Sequence, residues 1–309
     1  MVFLYVLAGV IFLLLLAMFI CFFLTFFALR KKPDDAEVPV PMGKVYQPYR
    51  EKMRGWILET RQMPREEVSI TSFDELTLRG FYYEYAPDAP IELLFPGYRG
   101  DAERDLCGGV QRCFKLGHSA LIVDQRACGR SDGHVITFGV RESRDCLDWV
   151  QFMLQHFGPD VKIILTGVSM GASTVLMAAG NPLPENVIGV LADSGFTGGR
   201  QIIQKVLRQL HLPAKLFYPL IRWGAKCFGG FDPDESSAID AMTRSAVPII
   251  FFHGEDDDFV PCEMSRENFE ACASARKKLY TIPGAGHVLC YPVSPELYLK
   301  NLRDFWDGK

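Results

Sequence analysis

The sequence predicts an α/β fold: a mainly parallel sheet of eight strands, helices on both faces, an inserted helical lid, and one transmembrane helix ahead of it all. Three observations predict it. From Ile91 onward, short continuous apolar runs alternate with segments of helical period. Strands of that kind are buried on both faces, and a parallel sheet provides this when helices cover it. Before Ile91, strand-like segments alternate apolar and polar residues, as a half-exposed antiparallel pair does. Third, no charged residue occurs from Val2 to Leu29, and nearly every residue there is apolar.

That first segment exceeds the roughly 20 helical residues needed to cross a bilayer core. A cleaved signal peptide needs a basic start and a shorter apolar run. Neither is present, so residues 1–32 are expected to be an uncleaved anchor with a basic flank. Arg30, Lys31 and Lys32 follow the span directly. Positive flanks stay on the cytoplasmic side, which places the main domain there in a single-pass membrane protein. The cysteines agree: Cys21 lies in the span and the others show no C-x-x-C spacing, as suits a reducing compartment. Residues 33–54 read as a linker, with four prolines and no period over 33–48.

The remainder, 55–309, reads as one domain. Val68–Thr71 and Leu76–Tyr85 are the antiparallel start. Strand Ile91–Phe95 precedes a helix over Ala102–Leu116, with Asp101 as its cap and Gly117 as its stop. Strand Ala120–Val123 precedes a helix over Val140–Phe157, whose Leu147, Val150, Leu154 and Phe157 fall at helical spacing. Val161–Leu165 leads into a helix from Met170, and Ile188–Ala192 follows. Pro248–Phe252 precedes a helix at Glu263–Ala273, and Leu279–Ile282 precedes the last helix, Pro295–Trp306. Between Ile188–Ala192 and Pro248–Phe252 lies more chain than a crossover needs. Residues 197–247 are therefore expected to form the lid, with an amphipathic helix around Ile202, Ile203, Val206, Leu207 and Leu210 and a more apolar one over Leu216–Cys227. A decorated crossover with no role at the site is the alternative.

The sharpest chemical signal is Gly167-Val168-Ser169-Met170-Gly171, which sits between a strand and a helix. A strand that turns abruptly into a helix throws one side chain clear of the sheet edge, and the crowding there calls for glycine on either side. Ser169 is thus a candidate nucleophile, and the helix start beside it supplies N–H groups and partial positive charge. A serine needs a base. Of the six histidines, His287 in Gly284-Ala285-Gly286-His287 follows a strand, where loops of a parallel sheet form the ligand crevice. His253 also follows a strand and is its main rival. The orienting acid is open on this evidence: Glu255, Asp256, Asp257 and Asp258 form a run that also reads as a solvated loop or a cation site, and Asp193 ends another strand. The net charge of −4, from 33 basic and 37 acidic residues, offers no polyanion-binding surface, so no nucleic-acid partner is expected.

Together these segments resemble the α/β-hydrolase fold over about residues 65–308, particularly lid-bearing serine esterases and prolyl-oligopeptidase-like hydrolases. The motifs are the turn at 167–171, H-G-x-x-D-x-x-V-P at 253–261 and G-x-G-H at 284–287. The resemblance implies that Asp257 is the acid of a triad with Ser169 and His287, and that His253 holds a turn. It implies an oxyanion hole from the backbone N–H groups of Met170 and Tyr98, although Pro96 stands where the family often has histidine. It also implies acyl transfer through a covalent intermediate, with no metal or organic cofactor. Residues 124–133 resemble the family's D-x-R-G-H-G-x-S-x-G loop, with Ala127 and Cys128 departing from it, and read as structural support. The expected substrate is a small ester or acyl molecule, since the chain leaves no room for a peptidase propeller. Thioesters and short peptides are the alternatives, and a non-catalytic, membrane-tethered binding protein is the reading from another class. Leu210, Leu212, Leu216, Phe217, Tyr218, Leu220 and Trp223 of the lid are expected either to line an acyl pocket or to form the lid's own core. No oligomeric state is predicted.

Overall fold

The structure is a computed structural model that describes residues 1–29 and 36–308. The basic flank Arg30–Lys32, on which the expected orientation rests, lies outside the described residues. Eight strands form one sheet: β1 (Glu66–Thr71), β2 (Thr77–Tyr83), β3 (Ile91–Phe95), β4 (Ser119–Val123), β5 (Ile163–Val168), β6 (Val187–Asp193), β7 (Ile249–Gly254) and β8 (Lys277–Ile282). Their order is β1-β2-β4-β3-β5-β6-β7-β8. β2 pairs antiparallel with β1 and β4, and every later pairing is parallel. The apolar runs are continuous because each parallel strand buries both faces. Leu93 and Phe95 of β3 join one core cluster while Leu94 between them joins another; Phe251 and Phe252 of β7 divide in the same way.

One face is covered by α5 (Glu142–His156), α6 (Met170–Ala179) and α10 (Cys262–Ala271); α5 and α6 bury Trp149, Met153, Val175 and Leu176 against it. The other carries α2 (Arg50–Gln62), α3 (Ala102–Asp105), α4 (Gly109–Leu116), α11 (Cys290–Val293) and α12 (Pro295–Trp306). The single helix expected over Ala102–Leu116 is two. Asp101 caps α3 by accepting the Arg104 N–H, as expected, but the chain breaks at Gly108, whose φ is +81°. A side chain there would meet the Trp56 ring of α2 at 2.6 Å. The linker expected over 33–54 also ends sooner. A 3₁₀ turn spans Lys44–Tyr49, α2 begins at Arg50, and Met53 and Ile57 are buried under it.

The segment between β6 and β7 holds α7 (Gly199–Gln209), α8 (Ala214–Gly224), a π-helical turn at Ala225–Gly229 and α9 (Ala238–Met242). Its core faces α1 (Val2–Phe26). Met18, Phe22 and Phe26, one residue per turn, are buried in a cluster with Ile202, Ile203, Leu207, Tyr218, Ile221 and Phe231. Helices α1 and α8 cross closely: a Cβ on Gly224 would lie 2.4 Å from the Met18 carbonyl oxygen. Past α1 the chain joins the domain through a β-bridge between Phe27 and Val135, flanked by Ala28 N–H to His134 O and Ile136 N–H to Phe26 O. The carboxyl third of the apolar helix is therefore built into the domain rather than standing off from it.

Candidate active site

Strand β5 ends at Val168 and α6 starts at Met170, so Ser169 makes the whole turn between them. Its backbone sits at φ +55°, ψ −119°, a region that costs a non-glycine residue about 1–3 kcal/mol. The two glycines are sterically required. A Cβ on Gly167 would lie 2.1 Å from Gly171 O, and one on Gly171 would lie 2.1 Å from Phe95 O. The Ser169 N–H is held by Asp193 O at 2.8 Å.

His287 comes from the loop after β8 and Asp257 from the loop after β7, and both reach Ser169. A Cβ on Gly254 would strike Ala285 O at 2.2 Å, so only glycine lets these two loops lie against each other. The His287 Nδ1–Asp257 Oδ2 distance is 2.6 Å and the His287 Nε2–Ser169 Oγ distance is 2.9 Å. An ionised carboxylate only accepts, so Nδ1 carries the proton and Nε2 accepts from the Ser169 hydroxyl. Asp257 is fully occupied: its Oδ1 accepts the N–H groups of Phe259 and Val260. Burial pushes the Asp257 carboxyl pKa up, but hydrogen bonds from His253 and His287 outweigh it and bring it down to about 2.

The rivals go elsewhere. His253 is fully buried; its Nε2 faces Val260 O at 2.9 Å and Asp257 Oδ2 at 3.2 Å, and its Nδ1 faces Ser265 Oγ at 2.6 Å. Both Nε2 partners are acceptors, so Nε2–H donates and Nδ1 accepts: the ring pins the turn 257–260. Asp193 accepts from Ser194 Oγ and from the Tyr298 hydroxyl rather than from an imidazole. Burial raises its carboxyl pKa. His118 pairs with buried Glu92, which also holds Arg112. Cys128 is buried, and burial, then the nearby Asp124 carboxylate, push its thiol pKa up.

Met170 is the first residue of α6, where N–H groups have no intrahelical partner. Tyr98 lies in the loop after β3, and among the described residues no backbone acceptor takes its N–H. The loop lies directly on the serine, since a Cβ on Gly97 would be 3.4 Å from Ser169 Cβ. Of its two supports, Gln125 lies in the segment 124–133 read as structural, while Asp105 carried no sign of this role in the sequence. Asp105 Oδ2 accepts the Gly97 N–H at 3.0 Å, and Gln125 Nε2 donates to Pro96 O at 2.7 Å.

Ser169 and His287 open onto a cavity of about 450 Å³. Its walls include Met42, Val45, Tyr46, Tyr98, Phe259 and Tyr291. None of the seven lid side chains expected to line an acyl pocket lies on it. Tyr218 is buried in the cluster with α1, while Leu210, Leu216 and Trp223 are largely exposed. Residues 41–46 of the expected linker provide the roof instead. Their aperiodic sequence carries no sign of this, because the position depends on contacts with residues far along the chain.

Residues 93–300 match a family model described as the alpha/beta hydrolase family. Among curated proteins, the chain is similar to YqkD of Bacillus subtilis (strain 168), 27% identical over 194 residues, 62% of this chain and 63% of YqkD. It is also similar to protein bem46 of Schizosaccharomyces pombe, 24% identical over 234 residues, 73% of this chain and 71% of bem46. The chain thus spans less than two thirds of YqkD. Among solved structures, the Pyrococcus furiosus esterase Pf2001 superposes with a TM-score of 0.66 at 20% identity, covering 88% of this chain and 99% of that one.

Proposed function

The chain belongs to the alpha/beta hydrolase family, and from that premise we propose that it is a membrane-anchored serine hydrolase that cleaves small carboxylic esters. The observation that carries this reading is the continuous hydrogen-bonded line from Ser169 Oγ through His287 to Asp257, with Oγ open to a cavity. In the first half-reaction Ser169 Oγ attacks the ester carbonyl carbon while its proton passes to His287 Nε2. The imidazolium formed is stabilised by Asp257, and the N–H groups of Met170 and Tyr98 receive the negative oxygen. His287 then gives its proton to the leaving alkoxide, releasing an alcohol and leaving Ser169 acylated. Water repeats the sequence: its proton passes through His287 to Ser169 Oγ, and a carboxylic acid departs. Each oxyanion donor is worth about 2.7–4 kcal/mol of barrier.

An ester, rather than an amide or thioester, is favoured by the structural likeness to a protein named an esterase and by the mostly apolar cavity wall. Helix α1 supports the anchor: it has 25 residues, a mean hydropathy of 3.1 in its most apolar window, and little of that window is buried. The positive flank at Arg30–Lys32 favours a cytoplasmic hydrolase domain. A fluorophosphonate should label the full-length protein at Ser169, and p-nitrophenyl esters of rising chain length should be hydrolysed. Ser169→Ala should abolish both while the thermal melt is kept. A folded wild-type protein that does not label would be the non-catalytic binding protein instead. Faster turnover of matched thioesters or peptides would reassign the bond. Cysteine accessibility in intact cells tests the orientation: domain thiols labelled from outside would reverse it.

A further inference from the structure

We propose that the carboxyl end of α1 is a positioning element of the active site, its free carbonyls clamping the oxyanion loop 96–100 in place through Tyr98 and Arg99. This rests on the serine-hydrolase reading above. The last carbonyls of any helix lack intrahelical partners. At the end of α1 those of Leu24, Thr25 and Phe27 are taken up by the loop beside Ser169, and that of Phe26 by the Ile136 N–H. The Tyr98 hydroxyl donates to Thr25 O at 2.7 Å, and Arg99 donates to Leu24 O and Phe27 O, both at 2.9 Å. Helix α1 has no basic residue of its own in its last turn. Arg99 supplies the cation that the dipole favours there, from some 70 residues away.

The loop needs such a clamp. Arg99 is held at φ +53°, and a non-glycine residue stays in that region only when its surroundings over-determine it. Three groups do so. Asp105 and Gln125 fix the Pro96–Gly97 end, and α1 fixes the Tyr98–Arg99 end. The Tyr98 ring is also packed against Phe138, which meets Phe26 of α1 edge-on. With its side chain engaged by α1, the Tyr98 backbone is restrained in the loop whose Gly97 lies on Ser169. Burial pushes the Tyr98 hydroxyl pKa up to about 12, so it remains a donor throughout the neutral range. A helix that only tethered the protein would have no need of contacts with this loop.

The test uses the full-length protein in detergent with a short p-nitrophenyl ester and a fluorophosphonate. Tyr98→Phe removes one oxygen and leaves the backbone N–H; Arg99→Met keeps the stem and removes the charge; Arg99→Lys restores a cation. A displaced donor forfeits part of what a deleted one does. The double variant Tyr98→Phe/Arg99→Met should lose about tenfold in kcat and in labelling rate, with KM within about twofold and the melt within a few degrees. Arg99→Lys should recover part of the loss of Arg99→Met. Wild-type kcat in the double variant would overturn the proposal, and so would a loss that follows a fall in melting temperature with no recovery by lysine. A wild-type protein that neither labels nor hydrolyses would remove the hydrolase reading and this inference with it; an active wild type with unaffected variants removes this inference alone.

Discussion

Ser169 occupies a backbone region that is unfavourable for serine, and two glycines make room for it. Because a Cβ on Gly171 would fall 2.1 Å from Phe95 O, Gly171→Ala forces either the turn or β3 to move. We expect a loss of roughly 3 kcal/mol or more in urea unfolding, with labelling at Ser169 reduced further than stability. Asp257 carries a pH signature. Its folded pKa of about 2 lies below the ordinary aspartate value of 3.8. A carboxyl with a depressed folded pKa contributes stability above its unfolded pKa and loses it as pH falls toward the folded one. The stability gap between wild type and Asp257→Asn, measured by urea midpoints, should thus be constant above about pH 5 and shrink between about pH 4 and 2. At neutral pH the same variant should retain labelling at a rate about 10⁴-fold lower, since the imidazole then lacks its orienting acceptor. Ser169 and His287 were legible from local patterns, each at the end of one strand, whereas Asp257 was singled out among its acidic neighbours by the family resemblance alone. Asp105 and the partner of Gln125 were not legible: an acid in α3 carries no sign of reaching Gly97, and the segment 124–133 was read as support without showing that Gln125 holds Pro96 O.

The same distinction holds among elements. Strands with continuous apolar runs and helices with a clear period were placed within a few residues, because burial on one or both faces writes itself into composition. The break at Gly108 was missed, because it is imposed by Trp56 from another helix. The segment 41–62 was read as linker up to residue 54, yet it packs on the core and roofs the cavity. The insertion was legible as extra chain, but its apolar residues turn toward α1 instead of toward Ser169. Phe26 is the centre of that contact, fully buried with edge-on rings at Phe138 and Phe231. Phe26→Ala should cost about 3–5 kcal/mol of stability, read by denaturant unfolding in detergent. The equivalent change at exposed Phe12 should cost nothing measurable there.

At the scale of the molecule, the apolar helix divides its length between two environments. Its burial begins near Ala17; the residues before it are exposed, while Met18, Phe22 and Phe26 pack in the domain. On the proposed anchoring, a helix whose carboxyl end is packed in the domain would hold the body of the protein close against the headgroup layer. Leu216, Trp223 and Phe228 lie uncovered on the insertion, and Phe228 rests against Phe19 and Phe22 of α1. On transfer from a short-chain detergent to lipid vesicles, the tryptophan emission should shift to the blue, and Trp223→Phe should remove most of the shift. On that proposal, a close mooring would set the reach of the site: substrate would enter the cavity from molecules already dissolved at the lipid surface, and the turnover of long-chain esters would follow their surface density rather than their bulk concentration.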